Sequence, residues 1–213
     1  MRRSLTVLRG AKGYSWYSKY QQEGAKGFLR HTPPTPFDWE GTSPTSARPR
    51  AYFDVTIDEE KAGRIEFELA QDVVPKTVDN FCKLVEGKAE KVEGYKGSKI
   101  LKVHAGNAIM GGDVENGDGT GNHAAGSERF IKDENFIIPH SGRGLLSMAS
   151  VGKHTGGSQF YISLGPNDHM NGRCVVFGRV VQGEDIIESI EKIFSFRGTP
   201  ARPVVIEDCG ILE

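Results

Sequence analysis

From Ala51 onward apolar and polar residues alternate with a period of two. AYFDVTI (51–57) and RIEFEL (64–69) each follow this pattern, with turn residues Asp58–Gly63 between them. Alternation of this kind predicts two half-buried strands. The period then lengthens. Val78, Phe81, Leu84 and Val85 form a helical stripe that opens near Pro75 and stops at Gly87, residues suited to the first turn and the end of a helix. Short apolar stretches near 100–103, 108–112, 145–150, 158–163 and 174–181 predict further strands. Ile186, Ile187, Ile190 and Ile193 predict a second helix from about Glu184 to Phe194, and VVIEDCGIL (204–212) predicts the last strand. Many short strands with only two helices predict a mainly β fold, a closed barrel capped by helices. No stretch of the chain repeats another.

Before Ala51 the alternation is absent, and residues 1–50 read as an extended arm joined to a 51–213 domain. The arm holds nine Lys/Arg against three acids, a charge of +6 that leaves −7 for the remainder of a chain whose total is −1. Five of the ten prolines lie between Pro33 and Pro49, which favours extended chain without a core of its own. Residues 1–30 are rich in Arg and Lys and carry Glu23 as their single acid, the composition of a mitochondrial import sequence. The expected location is therefore mitochondrial, at the periphery of an inner-membrane complex. Seven of the nineteen aromatics, both tryptophans included, also fall in the arm. Interfaces are enriched in Trp, Tyr and Arg, so Trp16, Tyr20, Phe28 and Trp39 are expected to anchor the arm on other subunits. The competing reading packs these rings back onto the chain's own barrel.

The bulk properties fit a soluble protein with one main domain. A chain of 213 residues can bury a sizeable core. Its net charge of −1 gives no bias toward nucleic acid, so none is expected as a partner unless the assembly is ribosomal. No apolar run reaches the roughly 20 residues of a transmembrane helix. Cys82, Cys174 and Cys209 are odd in number and widely spaced, as befits buried thiols in a reducing compartment.

Three blocks narrow the reading: GLLSMA (144–149), GGSQFYI (156–162) and NGRCVVFG (171–178). They resemble the cyclophilins, the barrel-type peptidyl-prolyl isomerases, and the resemblance spans Ala51 to Glu213. It implies eight antiparallel strands with a helix over each end, and proline-containing peptides as ligands. Rotation about an X–Pro bond meets a barrier of roughly 20 kcal/mol from amide resonance. The resemblance implies that an apolar pocket grips the proline ring while an arginine hydrogen-bonds the prolyl nitrogen.

In SKILKVHAGNAIMGGD (98–113) the arginine position is occupied by Lys102, which keeps the charge and loses the planar fork. Asn107 and Ala108 stand where the resemblance implies phenylalanine and methionine, and Met110 where it implies glutamine. Ala149 and Gln159 keep the family residue, and Tyr161 replaces a phenylalanine. His169 and Met170 take tryptophan and leucine positions, Cys174 a histidine position. Ala149-Ser150-Val151 replaces an Ala-Asn-Ala run, and Val151 is expected to narrow the groove.

Other chemistries fit less well. The glycine-rich stretch Gly111–Gly126 lacks the Gly-Lys-Ser/Thr ending of a phosphate-binding loop. Asp113, Asn116 and Asp118 miss the spacing of an EF-hand. His169 and Cys174 lack a cluster of further ligands around them, so neither metal nor cofactor is expected. Two functions follow. One is a cyclophilin-like domain with weak or absent turnover, an accessory subunit of a larger, respiratory-type mitochondrial assembly that it joins through residues 1–50. The other is an active mitochondrial prolyl isomerase that assists protein folding.

Overall fold

In the computed structural model, residues 36–40 and 48–212 are described. Ten strands and two helices follow in the order β1 (Arg50–Ile57), β2 (Glu60–Leu69), α1 (Pro75–Val85), β3 (Ile100–His104), β4 (Ala108–Gly111), β5 (Leu145–Met148), β6 (Phe160–Ser163), β7 (Val176–Gln182), α2 (Glu184–Glu191), β8 (Ser195–Phe196), β9 (Thr199–Pro200) and β10 (Val204–Leu212). Eight strands form one antiparallel sheet in the order β10-β1-β2-β7-β5-β6-β4-β3. Its ends meet. Gly97 donates to Ile206 O and Ile206 donates to Ser98 O, and Lys99 bridges Val205. The sheet is thus a nearly closed barrel, a solution that removes exposed edges. The described residues fall in a single compact unit.

The predicted elements are present, with shifted ends. The β1–β2 turn is tighter than expected: Asp58 and Glu59 both have positive φ, 52° and 67°, so β2 starts at Glu60 rather than Arg64. Helix α2 stops at Glu191, three residues short of Phe194. The hairpin β8–β9 has no counterpart in the sequence expectation. Its turn, Arg197–Gly198, has both φ values positive. A Cβ at residue 198 would lie 2.4 Å from the His104 ring, so this position needs glycine.

Inside the barrel lies an aromatic cluster. Phe53, Phe67, Phe81, Tyr95, Phe160 and Phe177 are fully buried and meet at ring separations such as 5.0 Å for Phe53–Phe67 and 4.9 Å for Phe81–Phe177. The Tyr95 hydroxyl donates to Ser158 O at 2.7 Å, which satisfies the one polar atom of that ring. Helix α1 closes one end with Val78, Phe81, Leu84 and Val85 inward. Glu134 caps its first turn from a distant loop, accepting from the Lys76 and Thr77 amides. Helix α2 packs on β2 and β3 with Ile186, Ile187 and Ile190 buried.

The end of the arm is fastened to the barrel. Phe37 and Trp39 pack against the core from outside. Buried Arg48 forks onto Asp72 at 2.8 and 2.9 Å and donates to Trp39 O at 3.0 Å. The Trp39 ring lies against two guanidiniums, 5.3 Å from Arg48 and 5.1 Å from Arg179. Arg179 also pairs with Glu40 and Glu68, each at 2.6 Å. Trp39 therefore follows the competing reading and packs on its own barrel, because two arginines and an apolar surface await it there. Trp16, Tyr20 and Phe28 lie outside the described residues.

Candidate functional site

Strand alternation sorts the barrel wall into two layers. Val103, Ile109, Ile162 and Leu146 are paired across β3, β4, β6 and β5, and all four side chains are buried in the core. One residue along, Lys102 pairs with Met110 and Met110 with Tyr161. Opposed residues on neighbouring strands share a face. Lys102, Met110 and Tyr161 thus form a row on the outer face of the wall, where the resemblance places the substrate groove.

The row is occupied in a particular way. Lys102 Nζ donates to Thr199 Oγ1 of the β8–β9 hairpin at 2.8 Å. Met110 is 7% and Tyr161 9% exposed, so the row presents little open apolar surface. Ala108, the other floor position, is also buried. Asn107 closes the β3–β4 turn, with its amide donating to His104 O at 2.9 Å. Gly106 takes the positive φ (69°) of that turn. The Asn107 carbonyl accepts from the Leu164 amide at 2.7 Å and from Asn167 Nδ2 at 2.8 Å. The floor is therefore tied to the 164–170 segment.

The flanks follow from loop hydrogen bonds. The Ala149 amide donates to Gln159 O at 2.9 Å. Gln159 Nε2 donates to Gly119 O at 3.1 Å and to Gly121 O. Ser150 Oγ donates to Arg173 O at 3.0 Å, and Cys174 donates its amide to Met170 O at 3.1 Å. Val151, expected to narrow the groove, sits on an outer turn at 84% exposure, its amide donating to Thr155 Oγ1 at 3.1 Å.

Cys174, the thiol among the expected site residues, is not activated. Burial pushes the Cys174 thiol up to about 11, well away from a reactive thiolate. Burial, and next the Arg173 charge, hold the half-buried His169 imidazole below its usual value. Beside it His140 is fully buried. Its Nδ1 lies 3.1 Å from Asn171 Oδ1, and burial lowers its pKa to about 4. Among the described residues no group of three or more His, Cys, Asp or Glu could hold a metal ion, and no helix is long and apolar enough to cross a membrane.

The glycine-rich loop beside the groove serves its own carboxylate. Asp113 accepts from the amides of Glu115, Asn116, Asp118, Gly119 and Gly121 at 2.7–3.3 Å. Burial raises the Asp113 pKa, but these donors outweigh it and hold the carboxyl below its usual value. Amides that could have cradled a phosphate are consumed here. Asn122 works alongside, accepting from the Ser158 and Gln159 amides at 2.9 and 3.0 Å. Asp113 and Asn122, with Asn167 and His140, hold the loops around the row; Asp113 was weighed in the sequence only as a calcium ligand, and the other three did not stand out. The Asp, Asn and Gly density of 113–122 was the available signal for the first two. A shallow groove lined by Gln71, Pro75, Asp79, Lys83, Gly126 and Ile131 lies beside α1 and contains none of the expected site residues.

An antiparallel, nearly closed barrel with two helices is the scaffold that the resemblance to barrel-type prolyl isomerases implies. Residues 52–211 match the model of the family described as cyclophilin type peptidyl-prolyl cis-trans isomerase/CLD, and the chain belongs to that family. Domains of this class bind proline-containing peptides.

Proposed function

We propose that this cyclophilin domain has weak or absent isomerase turnover and serves as an accessory subunit of a larger mitochondrial assembly. The observation that carries the first half is Lys102. A rigid guanidinium fork is replaced by one ammonium, and that ammonium is engaged by Thr199 at 2.8 Å. Losing a well-placed donor to developing charge costs roughly 3 kcal/mol. Replacing two large apolar walls by Asn107 and Ala108 forfeits on the order of 2–4 kcal/mol of proline burial, at about 25 cal/mol per Å². These losses together exceed the roughly 2.7 kcal/mol that corresponds to a hundredfold in rate.

The second half rests on composition. A +6 arm with seven aromatics cannot build its own core, and ordering it against partners needs extensive burial, because each fixed residue costs at least about 1 kcal/mol of backbone entropy. Since Phe37, Trp39 and Arg48 belong to the barrel surface, the docking stretch is residues 1–35. Deleting those residues, with import restored by a foreign signal, should release a folded barrel from its assembly. Co-purification of the truncated barrel would place the attachment on the barrel instead. Ordinary isomerase turnover by the full chain in a coupled or exchange-NMR assay would favour the folding-helper reading.

A further inference from the structure

The outer row does not end at Lys102. Thr199 receives its ammonium, and Thr199 pairs across the β8–β9 hairpin with Phe196. Directly paired residues share a face, so the row runs Phe196, Thr199, Lys102, Met110, Tyr161 across five strands. The hairpin is fixed in that place. Val103 donates to Gly198 O at 2.7 Å, and Ser195 Oγ donates to Val103 O at 2.9 Å. With Ser195 turned inward, Phe194 and Phe196 turn outward, two residues apart along extended chain. Their exposures are 74% and 67%. Two phenylalanines, two residues apart and this far exposed on a hairpin tied to β3, form an apolar patch of the kind used in contacts.

The charge beside them has one sign. Arg197 lies 5.4 Å from the Phe196 ring, and Lys102 stands on the other side of Thr199. The acids around the hairpin are committed elsewhere: Glu188 pairs with Lys192, Glu184 and Glu191 with Arg143, and Asp58 with Arg202. Lys102 and Arg197 are left without a carboxylate partner among the described residues.

Resting on the reading that proline turnover is no longer the task of the groove, we infer that the hairpin and the row beside it dock an extended segment of another protein, one that carries apolar side chains flanked by acidic residues. Phe194 and Phe196 take the apolar side chains, and Lys102 and Arg197 meet the acids. The groove is thereby extended outward from the old proline pocket, and specificity moves from ring shape to charge and apolar spacing.

Titrating the full-length chain with the synthetic peptide Ac-Ala-Asp-Leu-Phe-Asp-Ala-NH2 tests this, with amide NMR as the readout. Shifts should concentrate on residues 194–199 and 102. Affinity should fall about tenfold when both Asp are replaced by Asn, and should weaken as salt is raised. A Phe194→Ser, Phe196→Ser double variant should lose the binding, and because both rings are exposed its thermal unfolding should be unchanged. No binding, equal affinity for the Asn peptide, or shifts centred elsewhere would overturn the inference. So would a concentration-dependent dimer, detected by light scattering and lost in the double variant, which would put a second copy on the patch. An isomerase assay on the same sample separates the two proposals. Ordinary turnover removes the function reading, whereas an inert protein that ignores the peptide removes only this one.

Discussion

Inside the barrel wall, Val103, Ile109, Phe160 and Ile162 carry the apolar side chains that hold the sheet around its aromatic core. On the outside, their immediate neighbours Lys102, Met110 and Tyr161 form the outer row. The two layers alternate along the same strands, yet they answer to different demands. An inward residue is fixed by packing density, where one lost methylene is felt. An outward residue is constrained only by what it must contact. The outer layer can therefore drift from the chemistry that the resemblance implies while the inner layer keeps the barrel intact.

Adjacent positions of β6 should expose this contrast most strongly. Phe160→Ala removes a fully buried ring that contacts Phe53, Phe81 and Tyr95 and should cost about 3–5 kcal/mol in urea unfolding. Tyr161→Phe, one residue away, should change stability by less than about 1 kcal/mol. Similar costs at the two sites would mean that the outer row is part of the core.

Acid should act on the groove's support before it acts on the barrel. The folded pKa of His140 lies near 4, below its ordinary 6.5, because burial disfavours the imidazolium. The unfolded chain takes up this proton first as pH falls. Stability is thus full above about 6.5 and falls progressively toward pH 4, by on the order of 3 kcal/mol. Urea midpoints across that range should show the slope, and His140→Asn should flatten it. Asp113 behaves as a lowered carboxylate. Its contribution is present above its ordinary value of 3.8 and is lost only as pH falls below it.

The arm clasp should rank next. Arg48→Ala leaves Asp72 without its bidentate partner and Trp39 without one of its two cations, and should cost about 2–3 kcal/mol. Trp39→Ala should cost less, about 1–2 kcal/mol, since the ring is only half-buried. Both should leave turnover and row chemistry unaltered. A barrel indifferent to Arg48→Ala would mean that residues 36–40 are not fastened to it in solution.

Much of the fold was legible because strand alternation and helical stripes are local signals. The eight sheet strands and both helices lie within a few residues of their expected places. What escaped depended on tertiary partners. The β8–β9 hairpin is two residues per strand, too short to show a period, and stands because β3 holds it through Ser195 and Gly198. The tight β1–β2 turn places Asp58, a residue type that tolerates positive φ, beside Glu59, a type that seldom adopts it. Trp39 looked like an anchor for another protein because nothing in its neighbourhood announced Arg179, 140 positions away in the chain. The pairing of Lys102 with Met110 and of Met110 with Tyr161 follows from the strands that alternation predicts. Their state does not: neither the Lys102–Thr199 contact nor the burial of Met110 can be read from residue identity alone.

The central claim is that a sound scaffold carries an outer row altered away from catalysis. It is tested most directly by rebuilding the row and measuring turnover beside the unaltered chain. Lys102→Arg, Asn107→Phe, Ala108→Met and Met110→Gln must be combined. Ala108 and Met110 are both buried, so the unfolding midpoint of the combined variant is measured beside its turnover. Single changes should move kcat/KM by less than about threefold, since the donor and pocket act as a unit. The unaltered chain should turn over at least a hundredfold below the quadruple variant, about 2.7 kcal/mol of transition-state stabilisation. A quadruple variant that folds with the same unfolding midpoint and stays inert would contradict the account, as would an unaltered chain already as fast as its rebuilt form.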